Sequence, residues 1–287
     1  MEMQGRLTID SADAYTAYGA WVVENGWNGL LSMPPLKAVK TNDWHEYDGV
    51  EADLSAPRLD TRTADLHMAI DTAKGGSHSA LIAALSKGAY HTFGGVYIER
   101  SFRLRLVGES SLTDERGLCL FTLRLADDFP MKDYSYAEPS SDVVDPGKWA
   151  LDLRPLSSYG IRVLKGTAAS LMTAPETKLN LLRDVSIKNG ADYDSKIVTF
   201  KKRDVRLNCL MTAPTLGELW SNYDALLYDL TRKGERKLSS STFGTHSCMY
   251  ASGNVTEFYP DKGKAWLAFT LTLTLLGDST ESGSDTQ

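Results

Sequence analysis

The chain has 287 residues, of which 42% are apolar and 24% are charged, the proportions of an ordinary water-soluble globular protein. No stretch approaches about 18 consecutive apolar residues, and the first residues lack a basic region followed by an apolar one, so we expect neither membrane insertion nor a secretory signal. The three cysteines, Cys119, Cys209 and Cys248, are too widely spaced for a disulfide framework or a metal knuckle and are predicted to be buried free thiols.

The net charge of −6 is distributed unevenly along the chain. Residues 1–150 carry 14 Lys and Arg against 22 Asp and Glu, whereas residues 151–287 carry 17 against 15. The last ten residues are polar and contain three acids, so they cannot form a core. Two interpretations stay open: an acidic and a basic unit attract each other across an interface, or both are ordinary solvated surfaces.

In the first half, short alternating or β-branched runs predict strands. One helix is predicted at 78–87, because Ser77 is a suitable N-cap, apolar residues recur at helical spacing, and Gly88 follows. Residues 39–59 are polar and aromatic and are predicted to form a long hairpin or loop. The predicted strands are 7–10, 18–23, 62–70, 90–93, 97–98, 102–107 and 118–125.

The second half shows a similar order of elements. Residues 187–202 are predicted as its hairpin, with a turn at 190–195. A longer helix is predicted at 215–231, where apolar residues form an i, i+3, i+4 stripe that ends at Gly234. The last strand, 266–275, alternates Leu or Phe with Thr. Between the halves, residues 127–148 contain three prolines together with serines and acids, which predicts an ordered but non-regular linker.

A short sequence motif occurs twice: Tyr18-Gly19 is repeated as Tyr159-Gly160, at an offset of 141 residues. The same offset relates 31–34 to 172–175, Lys37 to Lys178, and 65–68 to 206–209. It grows to about 145 at the helix ends and 148 in the last strands, as insertions in loops would produce. We therefore predict an internal duplication. The predicted units are domain 1 at 1–130, a linker at 131–150, domain 2 at 151–277, and a disordered tail at 278–287.

The sequence contains none of the common catalytic or cofactor motifs. His246 and Cys248 would share a strand face, but they supply only two of the three or four ligands that zinc needs. Asp127 and Asp128 are adjacent and would point in opposite directions, which favours a solvated linker over an acid–base pair. The basic cluster at 201–203 is predicted to be a strand end that faces water. We predict no enzyme activity, no cofactor and no metal site.

A duplicated strand-rich unit with one helix and a long hairpin resembles the tail-tube fold of phage tails. That fold is shared by tail tube proteins, distal tail proteins and baseplate hubs. The passage that carries the resemblance is Gly-Ala-Asp-Tyr-Asp at 190–194, which leads into 200–207; residues 48–68 are its weaker copy. The resemblance covers residues 5–277 and implies a mainly β fold of two tandem tail-tube-like β-sandwich or barrel domains.

The resemblance implies assembly. Tube-fold domains form six-membered rings, so two domains per chain imply a homotrimer with pseudo-sixfold symmetry, and a hexamer is the competing stoichiometry. DNA would pass through the lumen as a non-specific passenger. The other partners would be tail proteins of a phage or prophage, in a virion tail assembled in the bacterial host cytoplasm. The 190–194 passage favours a distal tail or baseplate ring over a stacked tail tube.

The long hairpins are predicted to make the inter-ring or partner contacts. The residues that we assign to these contacts are Trp44, Tyr47, Asp48, Asp192, Tyr193, Lys201, Lys202 and Arg203. A different class of function stays open beside this one. Trp21, Trp27 and Trp44 with Tyr47 would form the sugar-stacking platform of a carbohydrate-binding module, although core and interface packing is the commoner use of such aromatic residues.

Overall fold

A computed structural model describes residues 4–179, 182–184, 186–193, 198–261 and 263–277. The predicted tail at 278–287 and part of the predicted second hairpin lie outside the described residues. The elements of the first half are β1 (Thr8–Ile9), β2 (Ala12–Asp13), α1 (Ala14–Tyr18), β3 (Ala20–Val22), α2 (Asn28–Leu31), β4 (Thr41–Asn42), β5 (Glu51–Ala52), β6 (Arg62–Asp71), α3 (His78–Leu85), β7 (His91–Gly95), β8 (Arg100–Glu115) and β9 (Leu118–Asp127).

The second half contains a matching series of elements. They are β10 (Ala150–Leu151), β11 (Arg154–Pro155), β12 (Ile161–Val163), α4 (Thr167–Met172), β13 (Leu182–Asp184), β14 (Ala191–Tyr193), β15 (Arg203–Ala213), α5 (Leu216–Leu230), β16 (Arg236–Ser240), β17 (Gly244–Asp261) and β18 (Lys264–Leu275). Two short 3-10 helices, Thr72–Lys74 and Leu156–Tyr159, complete the described elements.

The chain is mainly β and forms two seven-stranded antiparallel sheets, one in each half. Their strand orders are β2-β1-β7-β8-β9-β6-β3 and β11-β10-β16-β17-β18-β15-β12, which is the same order in both. Each half also has a small hairpin, β4–β5 or β13–β14, and paired residues of the two hairpins are related by an offset of 141. The predicted mainly β class is confirmed, and the shared strand order is what a duplication would produce.

The long strands bury one face each. Leu66, Met68 and Ile70 of β6 are buried, as their alternation predicts. In β18, Leu267, Phe269, Leu271 and Leu273 are buried, whereas Thr270 and Thr272 between them are half-buried. The buried side chains of both sheets form one contiguous apolar cluster. The two halves therefore share a core.

The helix α3 begins at its predicted cap, Ser77, and α5 begins one residue after its predicted start, with Thr215 as its cap. Ser77 Oγ accepts from the N–H of Ala80 at the start of α3, and Thr215 Oγ1 accepts from the N–H of Glu218 at the start of α5. The α3 helix ends at Leu85, so the predicted end at 87 is two residues too late.

Three further predictions about local structure are wrong. Tyr18 ends the short helix α1, and Gly19 then adopts a left-handed conformation (φ 69°) before β3 begins. Tyr97 and Ile98 lie in the turn between β7 and β8. Residues 191–193 form a strand because the turn lies earlier, at 186–190. The hairpin equivalent to β4–β5 thus begins at 182, and the two hairpins do not differ in length.

Candidate functional site

The two halves meet along a surface that is held by a buried lysine. The Lys178 ammonium donates to the carbonyl oxygens of Trp44 (2.7 Å), Tyr47 (2.8 Å) and Gly49 (2.7 Å). It also pairs with the Asp43 carboxylate at 2.6 Å. A buried ammonium group is stable only when hydrogen-bond acceptors surround it. The loop between β4 and β5 of the first half supplies these acceptors to the Lys178 side chain of the second half.

The same loop is tied to the segment that precedes β15. The His45 carbonyl accepts from Thr199 Oγ1 at 2.8 Å, and the Asp48 carboxylate accepts from the N–H of Phe200 at 2.8 Å. The N–H of Gly49 donates in return to the Phe200 carbonyl at 2.7 Å. These bonds fix the backbone of the loop, so it is a structural contact between the halves.

Residues 32–36 of the first half add to the edge of β17. The strand β16 pairs with β17 only as far as Cys248, which leaves the following residues of β17 without a neighbour on that side. The N–H of Met33 donates to the Gly253 carbonyl (2.9 Å) and the N–H of Leu36 to the Ala251 carbonyl (3.2 Å). This is strand addition at a sheet edge, made within one chain.

The helix α5 completes the contact. Tyr223 donates its hydroxyl to the Leu31 carbonyl at 2.9 Å, and Trp220 Nε1 donates to the Ile98 carbonyl at 2.7 Å. Burial raises the pKa of the Tyr223 hydroxyl, so it stays protonated and able to donate. We call the combined contact of 28–50 and Ile98 with Lys178, 199–200, α5 and β17 the intrachain junction.

Arg62 supports the first-half side of the intrachain junction. Its Nη1 donates to the carbonyls of Leu30 (2.5 Å) and Ser32 (2.7 Å) at the end of α2, and its Nη2 pairs with Asp127 at 2.9 Å. Burial lowers the pKa of the guanidinium, and Asp127 opposes this effect. Arg62 therefore holds the orphan carbonyls at the end of the helix.

Arg203 occupies the equivalent position in the second half, at the start of β15. It donates to the carbonyls of Ser170 and Thr173 around the end of α4. Lys201 pairs with Glu176 at 3.0 Å. Two of the basic residues predicted to contact partners therefore have partners within the chain, whereas Lys202 is exposed.

The predicted contact residues lie in three separate places, apart from the exposed Lys202. Asp48, Lys201 and Arg203 line one cleft of about 220 Å³, together with His246. Trp44 and Tyr47 do not line this cleft and are 53% and 70% exposed. Asp192 and Tyr193 lie in β14, where they pair with β13.

The aromatic residues do not form the sugar platform of the alternative prediction. Trp27 is buried and Trp21 is half-buried, with its ring edge-on to Tyr15 at 5.9 Å. Trp44 donates its indole N–H to Glu51 at 3.1 Å. Of the predicted set, Trp44 and Tyr47 are left as exposed rings.

Asp127 and Asp128 point to different partners, as predicted, but neither is a solvated linker residue. Asp127 pairs with Arg62, and Asp128 pairs with Arg105 at 2.8 Å. The bond to Arg105 holds the pKa of Asp128 below its ordinary value, and a bond from Tyr90 acts in the same direction. The acid–base alternative has no support from this geometry.

A larger cleft of about 470 Å³ lies between the halves. Its charged side chains are mostly paired with each other, as Arg100 is with Asp224 at 2.8 Å. Other residues that line it are Leu31, Arg62, Phe102, Asp127 and Tyr223. The two ion pairs, Arg62 with Asp127 and Arg100 with Asp224, hold these four side chains within the chain.

Cys119, Cys209 and Cys248 are buried and unpaired, so that prediction is confirmed. Burial raises the pKa of the Cys248 thiol to about 12. Among the residues that the structure describes, no three His, Cys, Asp or Glu side chains are close enough to hold a metal. In the same part of the chain, no helix is both long and apolar enough to cross a membrane.

Sequence reasoning missed Lys178, which is the centre of the intrachain junction. The constant offset aligns it with Lys37, but that pairing gave no reason to expect burial. The contrast was visible only in the structure, where Lys37 is exposed and Lys178 is buried.

Comparison with known proteins gives little for this chain. No protein-family model matches it, and no curated protein matches it. Its fold has a distant similarity to a solved structure, that of the Dit protein of phage SPP1, described as a paradigm of the hub adsorption apparatus in phages that infect Gram-positive bacteria. The two are 10% identical over 94% of this chain and 97% of the other, with a TM-score of 0.32. A similarity at this level carries no argument about function.

Proposed function

We propose that the protein is a structural component of a phage or prophage tail, and that it forms a ring at the distal tail or baseplate by lateral packing of two tube-like domains per chain. The proposal combines the resemblance of the sequence to the tail-tube fold with the architecture of the two halves. Its other partners would be neighbouring tail proteins, and DNA would pass through the lumen without specific contacts. The site of action would be the virion tail, after assembly in the host cytoplasm.

One observation carries the proposal. The intrachain junction is heterologous, because loop 43–50 and residues 32–36 of the first half meet a different surface of the second half. Heterologous contacts between similar units generate closed rings when the rotation closes and open filaments when it does not. A chain with one such contact inside it is suited to continue the series with further copies.

Electron microscopy of the purified protein with native mass spectrometry tests the proposal. Rings of three chains with six similar lobes are the expected result. Stacked tubes would instead support the alternative of a major tail tube protein. A monomer at micromolar concentration, with no rings in the images, would contradict both.

The exposed rings of Trp44 and Tyr47 are the observation that keeps a non-catalytic carbohydrate-binding role as a second candidate. Glycan-array binding that is lost in Trp44→Ala would support it. Because Trp44 contacts Glu51 of the same hairpin, circular dichroism should first establish that the variant is folded.

A further inference from the structure

The surface of the second half that meets the first half has an equivalent on the first half. The strand β17 has a bulge between Tyr250 and Ser252, and β8 has one between Leu106 and Gly108. Tyr250 pairs with Leu273 of β18, and Leu106 pairs with Leu125 of β9. Leu273 and Leu125 are related by the offset of 148 that holds for the last strands, so the two bulges occupy equivalent positions. Val107 is therefore equivalent to Ala251, and Glu109 to Gly253.

This edge of β8 has no strand beside it in the part of the chain that the structure describes. The strand β7 pairs with β8 only from Arg100 to Leu104, so the continuation of β8 pairs on one side only, with β9. The equivalent edge of β17 is covered by residues 32–36. The exposed side of β8 includes Val107, which is 50% exposed, and Leu112. An uncovered edge with apolar residues is a template for strand addition.

The segment that fills the edge of β17 also has an equivalent. Residues 32–36 correspond to 173–177 at the offset of 141, and both segments follow a short helix. Each ends at a residue that bridges to the stretch before the next long strand, Leu36 to Leu59 and Thr177 to Phe200. Leu31, at the end of α2, is 2% exposed because it is covered by the intrachain junction. Met172, its equivalent at the end of α4, is 74% exposed.

We propose that residues 173–177 of one chain add as an edge strand to residues 107–109 in β8 of a second copy of this chain. The contact repeats the geometry of the intrachain junction, with Ala174 opposite Glu109 as Met33 is opposite Gly253. Met172 becomes buried against the neighbouring copy. This inference rests on the proposed ring and names the surfaces that join its chains.

Two features of the residues fit the contact. Met33 packs so close to Gly253 that a Cβ there would lie 2.8 Å from the Met33 sulfur. In the proposed contact the small residue, Ala174, is on the other side and faces the larger Glu109. The half that donates the segment is also positively charged, and the half that accepts it is negatively charged, which favours this pairing over contacts between like halves.

Cysteine crosslinking tests the pairing directly. Residues opposite each other in antiparallel strands have Cα atoms about 4.5–5.5 Å apart, within the range of a disulfide. We expect Glu109→Cys with Ala174→Cys to form covalent trimers, or ladders of chains, under mild oxidation. The matched control, Met33→Cys with Gly253→Cys, should crosslink within one chain and leave the mass at one chain length.

A second variant tests the burial of Met172. Since this side chain is mostly exposed in the single chain, Met172→Glu should leave the circular dichroism spectrum unchanged and reduce the assembled fraction at least tenfold. Leu153→Glu, at a site that is 93% exposed and outside the contact, should assemble normally.

The outcomes separate this inference from the proposed function. If the unmodified protein forms rings but Met172→Glu assembles equally well, or the cysteine pair stays uncrosslinked, then the ring stands and this contact is wrong. If the unmodified protein forms no assembly and the cysteine pair does not link chains, both proposals are wrong.

Discussion

Lys37 and Lys178 occupy equivalent positions in the two halves, and their surroundings differ completely. The two residues make equivalent backbone hydrogen bonds. The N–H of Lys37 donates to the Arg58 carbonyl, and the N–H of Lys178 donates to the Thr199 carbonyl. Only the Lys178 side chain is buried among acceptors from the other half. The difference between two otherwise similar residues is therefore a property of the intrachain junction.

Replacing Lys178 with Met should lower the free energy of unfolding by about 3 kcal/mol, because three carbonyls and the Asp43 carboxylate lose their donor. The replacement keeps most of the side-chain volume, so the loss reports the hydrogen bonds. Urea denaturation of both lysine variants measures the difference. Lys37→Met is the matched control and should change stability by less than about 0.5 kcal/mol, since that side chain is exposed. Equal losses in both variants would contradict the assigned role of Lys178.

Gly49 and Gly190 provide a second equivalent pair. Both have a positive φ, +66° and +78°, but a Cβ on Gly49 would lie 1.7 Å from the Leu276 carbonyl oxygen, whereas one on Gly190 would meet nothing within 4 Å. Gly190→Ala should cost about 1 kcal/mol, from backbone strain alone. Gly49→Ala should cost at least about 3 kcal/mol, because the chain must also move apart. Thermal unfolding of the two variants checks the ranking, and a larger loss at Gly190 would refute it.

Asp128 should make the stability of the protein depend on pH in the acidic range. The bond to Arg105 lowers its pKa in the folded state, so the contribution of this pair is present above about pH 4, the ordinary value for Asp, and is lost as the pH falls through the lowered value. The free energy of unfolding of Asp128→Asn should therefore differ from the unmodified protein at pH 6 and converge with it at low pH. Asp133→Asn, at an exposed aspartate nearby, should run parallel to the unmodified protein throughout.

At the scale of elements, α2 and α4 are equivalent helices with different degrees of burial. Leu31 ends α2 against the second half, whereas Met172 ends α4 with its side chain in solvent. Leu31→Ala should lower the free energy of unfolding by about 3 kcal/mol through the cavity it leaves. Met172→Ala should cost less than about 0.5 kcal/mol in the single chain. Denaturation at a concentration too low for assembly measures both, and similar losses would show that the two helix ends have similar surroundings.

The sequence was most informative where an element buries a regular face. The alternation in β6 and β18 and the helical stripe of α5 identify those elements, because burial of one face dictates the pattern. The helix α1 was missed because its run of aromatic and β-branched residues continues into β3. Only Asp13, which accepts from the N–H of Thr16, and the left-handed Gly19 mark its two ends.

The candidate site was much less predictable than the fold. Lys178 binds backbone carbonyls that lie about 130 residues away, and a carbonyl is present in every residue, so no side-chain pattern reveals the contact. The strand addition at β17 is likewise made by backbone groups. The predicted contact residues were chosen by their side chains, and four of those side chains have partners within the chain: Trp44, Asp48, Lys201 and Arg203.

At the scale of the whole molecule, the shared core bears on how the chain unfolds. Because one apolar cluster includes buried side chains of both sheets, the halves should unfold together in a single transition. Calorimetry should give equal calorimetric and van't Hoff enthalpies. Leu66→Ala in the first half should shift the transition of the second half by the same temperature as that of the first. Two separable transitions would instead support the predicted division into independent domains.

The linker between the halves also sets an order of events. It keeps the two surfaces of the intrachain junction at an effective concentration in the millimolar range, far above the concentration of separate chains. The contact that needs the desolvated Lys178 can therefore form first and only once per chain, before any encounter with another copy. In the proposed contact between chains, later encounters use the edge of β8, and the buried Lys178 takes no part in them. The addition of whole chains to an assembly would then be reversible. Assemblies with the wrong number of chains could therefore dissociate and form again until a ring closes.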